Sequence, residues 1–272
     1  MYIVADVGST NTRIARSRDL ETFDEPVIYK TPHVYEEGIR TFIAHALELA
    51  RSEPIEYVAL GLPGALNTDK RSLFNAPFLG GWNKYPIAED LENALSTRVV
   101  LENDTALVGL GEAVSGAGAG ANIMVYITVS TGINGVRTVG GVIDPSVYGF
   151  ETGHQYLFID NEPKDLCDLI SGTAVVEKYH IQPKELGKGA PVWDEFARYL
   201  AFGLHNTILH WSPDRIVLGG SMFNEIGISI DAVRSHLEEI MHIFPTIPVL
   251  AHSGLGDVGG LYGGLTLLKQ QR

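Results

Sequence analysis

The chain has 272 residues, 45% of them hydrophobic, which is enough apolar material for one large core or two smaller ones. Its formal net charge of -13 argues against nucleic acid or an anionic membrane as the main partner, since both need basic surface. The single cysteine, Cys167, excludes a disulfide framework and an all-cysteine zinc site within one chain, and it suits a reducing cytoplasm.

The first residues, Met1–Asp6, enter a strand with no basic leader, and no uninterrupted apolar run is long enough to span a bilayer. Tyr2–Val7 ends in Asp6-Val7-Gly8-Ser9-Thr10-Asn11-Thr12-Arg13, and Ile14 and Ala15 continue a second strand. This predicts a hairpin whose small turn residues let amides and hydroxyls approach a phosphate. Asp6, at the strand end, can hold Mg²⁺ directly or through water; an ordinary β-turn is the plainer alternative. A third strand is expected over Val27–Lys30. A helix follows over Tyr35–Arg51, with Ile39, Phe42, Ile43, Ala46, Leu47 and Ala50 on one face. Ile55–Leu60 reads as a buried strand stopped by Pro63 and Gly64, and ligands of open α/β sheets collect at such ends. Asn75 offers an amide to a sugar hydroxyl, and Trp82 in the next loop reads as packing. A helix is expected from Pro86 to Leu95.

Val99–Leu101 is the tail of another buried strand, followed by Glu102-Asn103-Asp104 and the helix start Ala106, Leu107, Val108 and Leu110. Asp104 is expected at the helix N-cap, where a carboxylate either only caps or also meets a substrate hydroxyl as general base. The string Gly116-Ala117-Gly118-Ala119-Gly120-Ala121 matches G-x-G-x-x-A, but it follows a helix and precedes a strand, so it reads as a flexible connector, with a hinge or a domain edge as the further reading. Asn122–Val129, the turn Ser130–Gly135 and Val136–Val139 predict a second hairpin with a Ser/Thr/Gly turn. The recurrence of this device predicts two related α/β domains, each offering a turn to phosphates. In Gly149–His154, Glu151 and His154 flank a glycine and either share a pocket or are solvated turn residues. Asp165–Tyr179 reads as a helix interrupted near Ser171-Gly172-Thr173, and Ala190–Trp211 as the clearest helix of the chain. A strand over Arg215–Leu218 ends in Gly219-Gly220-Ser221. A helix over Ile230–Phe244, a strand over Ile247–Leu250 and a glycine-bearing helix over Asp257–Lys269 complete the set.

Taken in order, the turns at Asp6–Arg13, Val129–Gly135 and Ile216–Ser221 resemble the two phosphate motifs and the adenosine motif of the acetate-and-sugar-kinase/actin superfamily. Gly61–Gly64, Asn75–Pro77, Glu102–Asp104 and Glu151–His154 are similar to the sugar-site motifs of its ROK family. The resemblance implies an α/β fold of two similar actin/ribonuclease-H-like domains around an interdomain cleft. The small domain would comprise 1–105 plus 257–272, and the large domain 106–256. It implies a glucokinase-like kinase that uses ATP and Mg²⁺ to phosphorylate a hexose or N-acetylhexosamine hydroxyl. Asp104 matches the family's catalytic base, and Gly64, Asn75, Asn103, Glu151 and His154 match its sugar ligands. Asp6 matches the carboxylate near Mg²⁺. Gly8, Thr10, Thr12, Thr131 and Gly132 match positions around the phosphates, and Gly219 and Gly220 the adenosine pocket. The resemblance brings in a small-molecule sugar as partner and leaves room for a homodimer.

Departures from the pattern matter as well. The family's zinc module joins the His of the Gly-His motif to three cysteines, and Gln155–Leu166 has no cysteine, so no zinc is expected. Cys167 stands where a sugar-binding Glu is usual, with Asp168 beside it, and Ser9, Ser130 and Asn134 replace common glycines. A sugar- and nucleotide-binding regulator without turnover is the competing expectation. The family's repressors carry a helix-turn-helix before the first phosphate motif, where this sequence begins.

Overall fold

Short apolar runs punctuated by glycine turns build the strands, and the longer amphipathic runs become helices laid over them. The structure, a computed structural model, describes residues 1–224 and 227–272. In chain order the elements are β1 (Tyr2–Val7), β2 (Asn11–Ser17), β3 (Val27–Lys30), α1 (Tyr35–Ala50), β4 (Tyr57–Leu62), β5 (Ala65–Leu66), β6 (Leu73–Asn75), α2 (Ile87–Leu95), β7 (Arg98–Asn103) and α3 (Asp104–Ser115). They continue with β8 (Ile123–Val129), β9 (Ile133–Val139), β10 (Val142–Ile143), β11 (Tyr156–Ile159), β12 (Glu162–Asp165), α4 (Leu166–Ile170), α5 (Gly172–Tyr179), α6 (Val192–Trp211), β13 (Arg215–Gly219), α7 (Ser221–Asn224), α8 (Ile230–Ile240), β14 (Val249–His252) and α9 (Gly259–Gln270).

The chain divides into two units, one of Met1–Gly111, Pro145–Gly149 and Asp257–Arg272, the other of Glu112–Asp144 and Phe150–Gly256. Each contains a five-stranded sheet, ordered β3-β2-β1-β4-β7 in the first and β10-β9-β8-β13-β14 in the second. In both, the first three strands of the chain pair antiparallel and the next two add in parallel. The two Ser/Thr/Gly hairpins therefore occupy equivalent places in two copies of one topology.

β1 shows why such a strand is apolar throughout. Ile3, Ala5 and Val7 face a core that contains Phe42 of α1, while Tyr2 and Val4 face Leu261, Leu265 and Leu268 of α9. Covered on both faces, the strand has no polar alternation to show. In the second unit, Val125, Ile127 and Val129 of β8 join Phe196, Leu200 and Leu204 of α6 and Leu237 of α8.

Several sequence expectations are corrected here. Leu47 is 53% exposed, outside the buried face of α1, and α1 ends when Arg51 turns left-handed (φ 48°). α8 ends at Ile240, short of Phe244. The Gly116–Ala121 string is a tied turn instead of a loose connector. Gly116 and Gly118 donate to Glu112 O, Ala117 N donates to the Glu112 carboxylate (2.8 Å), and Arg215 donates to Ala117 O and Ala119 O. The unit boundary falls between Gly111 and Glu112, within α3, later than the expected division after Thr105. Leu107 in the middle of the helix lies against Gly263 of α9, whereas Glu112 is fully buried and accepts from Ser253 Oγ (2.6 Å) and from the amides of Gly254 and Leu255. The segment Pro145–Gly149 belongs with the first unit, not with the residues around it in the sequence.

Candidate active site

The first unit brings most of its candidate residues to one edge of its sheet. Asp6 of β1 pairs in register with Gly61 of β4, and Gly61 with Glu102 of β7; one step further, Leu62 pairs with Asn103. All three strands are parallel, so these are their carboxyl ends, where the missing next strand residue leaves backbone and side chains open to a ligand. A Cβ on Gly61 would stand 3.5 Å from Asp6 Oδ1, 3.4 Å from Asp104 Cα and 3.0 Å from Leu107 Cδ1. Gly61, absent from the residues chosen by sequence, thus separates the two carboxylates by a bare backbone.

Asp104 is the first residue of α3, not its cap. Asn103 is the cap: its Oδ1 accepts from Ala106 N (3.0 Å), while its Nδ2 donates to Gly64 O (3.0 Å). Asp104 Oδ1 accepts from Thr105 N at 2.6 Å, at a helix end whose partial positive charge favours an anion. Glu102 is structural, buried and ion-paired with Lys70, and accepts from Asn103 N (3.0 Å). Gly64 must be glycine. Its φ is 93°, and a Cβ would meet Asn75 O at 2.3 Å. Through that contact and the Asn103 bond, Gly64 draws Asn75 and Asn103 to one loop, with the Asn75 residue exposed.

Burial pushes the Asp6 carboxyl up to about 6; Arg13 opposes this and Asp257 adds to it. Gly260, at the start of α9, is close enough that a Cβ would stand 2.9 Å from Asp6 Cγ. A carboxylate so poorly compensated at a strand end fits a divalent cation as its missing counter-charge. Among the first turn's residues, Gly8 N closes the turn on Asn11 O (3.0 Å) and Thr10 is exposed. Thr12 is corrected: it is 1% exposed and its hydroxyl pairs with that of Thr31 (3.0 Å), which in turn donates to Gly8 O (2.7 Å). Thr12 supports the turn from behind and does not line it.

In the second unit, a cavity of about 390 Å³ is lined by Ser130, Thr131, Gly172, Thr173, Val176, Gln182, Pro183, Lys184 and Ser221. The Ser130–Gly132 turn is held by α5, whose first residues donate from Gly172 N to Ser130 O (2.7 Å) and from Thr173 Oγ1 to Thr131 O (2.8 Å). Gly172 is required there, because a Cβ would meet Ser130 O at 2.9 Å. Gly132 has open space about it. Gly219 and Gly220 lie behind the cavity, against the Tyr126 hydroxyl and Val129 O, and deliver Ser221 to its wall. Sequence reasoning missed Gly172, Thr173 and Lys184. Ser171, which accepts from Ala174 N (3.1 Å), is a helix-cap signal that could have flagged the first two; nothing in the sequence marks Lys184.

Glu151 precedes a short 3-10 turn, Thr152–His154. Glu151 and His154 are both exposed. Partial burial raises the Glu151 carboxyl, with His154 pulling it down, while the hydrogen bond to Asp165 raises the imidazole. Cys167 packs between this 3-10 turn and β9: a Cβ on Gly153 would meet its Sγ at 2.6 Å, and the thiol donates to Ile133 O at 3.6 Å. Burial pushes that thiol up to about 11. His154, Asp165 and Cys167 bring one ligand atom each within 4.8 Å of one another. As a structural zinc site this set is one ligand short of the usual four, and both oxygens of Asp165 already accept, one from the imidazole and one from Cys167 N. Among the described residues no helix is long and apolar enough to cross a membrane.

Residues 2–271 match the sequence pattern of the ROK family. The chain is 27% identical to a glucokinase of Halalkalibacterium halodurans, over 99% of this chain and 95% of that one. It superposes on the crystal structure of a ROK hexokinase from Thermus thermophilus with a TM-score of 0.84 and 26% identity, covering 99% of both chains. A ROK family glucokinase from Streptomyces griseus, solved with glucose and AMPPNP, shares the fold with a TM-score of 0.80 at 22% identity, again over 99% of both chains.

Proposed function

The chain belongs to the ROK family, and we propose that it is a sugar kinase that moves the γ-phosphoryl group of ATP to a hexose hydroxyl. The observation that carries this reading is the strand-end arrangement of the first unit. Asp6 and Asp104 flank Gly61, and Asn103 is tied to the loop of Gly64 and Asn75. One carboxylate is suited to a cation and the other, held at a helix start, to a hydroxyl proton. Phosphoryl transfer has a loose transition state, so position and charge neutralisation carry most of the catalysis.

In the proposed reaction the sugar oxygen bonds to the γ-phosphorus, the bond from that phosphorus to the ADP oxygen breaks, and the hydroxyl proton passes to Asp104. Asn75, Asn103, Glu151 and His154 orient the sugar. Ser130, Thr131, Gly132 and Thr173 receive phosphate oxygens, and Lys184, a cation on the same cavity wall, balances their charge. Mg²⁺ at Asp6, bound directly or through water, supplies charge neutralisation to the phosphates when present.

The test is ADP release by the purified protein, with and without glucose, fructose, mannose, allose, N-acetylglucosamine and N-acetylmannosamine. At least one sugar should raise release well above the ATPase background. Binding of a sugar by calorimetry with no sugar-dependent release would instead make the protein a regulator without turnover.

A further inference from the structure

We propose that Asp165 is a positioning residue that fixes the proton of His154 on Nδ1 and so presents Nε2 to the sugar as a hydrogen-bond acceptor. This rests on the reading of His154 as a sugar ligand. His154 Nδ1 lies 2.9 Å from Asp165 Oδ2. A carboxylate offers only lone pairs, so the proton in this bond belongs to the imidazole, and in the neutral ring the other nitrogen is then bare. An exposed neutral histidine without such a partner favours the opposite tautomer, with Nε2 protonated.

The protein builds this contact deliberately. β11 and β12 form a hairpin with Tyr156 opposite Asp165, and Leu166 N donates to Gln155 O (3.1 Å), which extends the pairing toward His154. The reversal uses Asp160 and Asn161, both at positive φ (54° and 64°), the two-residue turn that closes hairpins most tightly. Asp165 itself cannot drift. Its Oδ1 caps α4 by accepting from Cys167 N (2.8 Å), leaving Oδ2 aimed at His154. Its side chain is 14% exposed and that of His154 63%, so the carboxylate is sheltered and the imidazole open to a ligand. The same bond, with Glu151 and Asp168 nearby, raises the imidazole above its ordinary value, so the ring is examined above that range.

The test separates the proton from the sugar. In protein labelled with ¹⁵N-histidine, and at a pH where the ring is neutral, the His154 resonances, assigned by their loss in His154→Gln, should show a protonated Nδ1 and a bare Nε2. Asp165→Ser keeps a helix-capping side chain but is too short to reach the ring. It should shift His154 toward the Nε2-protonated tautomer. It should also raise the sugar KM about tenfold while lowering kcat no more than about twofold, the size of one hydrogen bond. Asp165→Asn has a single oxygen for these two donors; with that oxygen kept on Cys167 N, its amide N–H faces the ring, so it should likewise shift His154 toward the Nε2-protonated tautomer and raise the KM. A wild-type ring protonated at Nε2, or a tautomer unchanged in Asp165→Ser, overturns the proposal whatever the kinetics. A sugar KM unchanged in His154→Gln would sink the sugar reading of His154 itself, with the protonated Nδ1 still visible in the spectrum, and the positioning role with it.

Discussion

At Asp104 the geometry assigns two tasks to two neighbours. Asn103 takes the cap and the loop bond, while the Asp104 carboxylate at the first turn of α3 accepts from Thr105 N and, in the proposed reaction, takes the hydroxyl proton. Asp104→Asn preserves shape and hydrogen-bonding reach but cannot accept a proton. Turnover should therefore fall by roughly 10²–10⁴ while sugar affinity, measured by calorimetry, stays within about twofold. A mutant with ordinary turnover would remove Asp104 as the base. The residues of this loop were legible in the sequence because their types are constrained by backbone chemistry. Gly64 had to be glycine, and the Glu-Asn-Asp run had to sit at a strand-to-helix junction. The division of labour within that run was not legible, since Asn and Asp both cap helices well and only the Asn103–Ala106 bond distinguishes them. Thr12 was misread for a similar reason: strand alternation next to a turn does not reveal which hydroxyl faces inward, and here Thr31, distant in sequence, decides it.

Among the elements, the glycines of α9 show how a helix reaches the candidate site. Gly260 leaves room for the Asp6 carboxylate, Gly264 lies on Val4 and Ala59 of the sheet, and Gly263 lies under α3. A Cβ on Gly263 would stand 1.8 Å from Leu107 O and 2.5 Å from its carbonyl carbon, both backbone atoms that no rotamer change can move. Alanine has the better helix propensity by about 1 kcal/mol, but pushing two helices apart costs about 3 kcal/mol or more. Gly263→Ala should thus destabilise the protein by about 2 kcal/mol or more, seen as a lower urea midpoint with an unchanged slope. An unchanged midpoint would mean the crossing is looser than the geometry requires. Elements of strong period or strong punctuation were readable from sequence, including both Ser/Thr/Gly hairpins and α6. The hairpin of β11 and β12 was not read, although Asp160-Asn161 carried a usable turn signal. Its strands are only four residues each, and with Tyr156 and Phe158 exposed the buried face comes down to Leu157 and the partly buried Ile159, too short to announce it.

Across the whole molecule, one sheet topology is used twice, and the paired phosphate-type turns in the sequence hinted at it. The position of the unit boundary inside α3 was beyond sequence reasoning, because it depends on Glu112 meeting Ser253–Leu255 far along the chain. The stability of the molecule should also carry the signature of Asp6. Burial raises its carboxyl from 3.8 to about 6 in the folded chain. Between those values the folded state holds more protons than the unfolded state, so this group's contribution is fully present below about pH 4 and is lost as pH rises through about 6. Groups such as Glu92, whose carboxyl is lowered by its hydrogen bond to Arg71, act in the opposite sense and lose stability as pH falls. Total stability mixes these slopes, and a mutant difference separates them. The stability of wild type minus that of Asp6→Asn, from urea unfolding without Mg²⁺ or nucleotide, should fall by at most about 3 kcal/mol between about pH 4 and pH 7. Parallel profiles across that range would show that Asp6 is not held as an uncompensated carboxylate. Added Mg²⁺ with ATP should reduce the wild-type decline, since a cation at Asp6 stabilises the ionised folded form that burial disfavours.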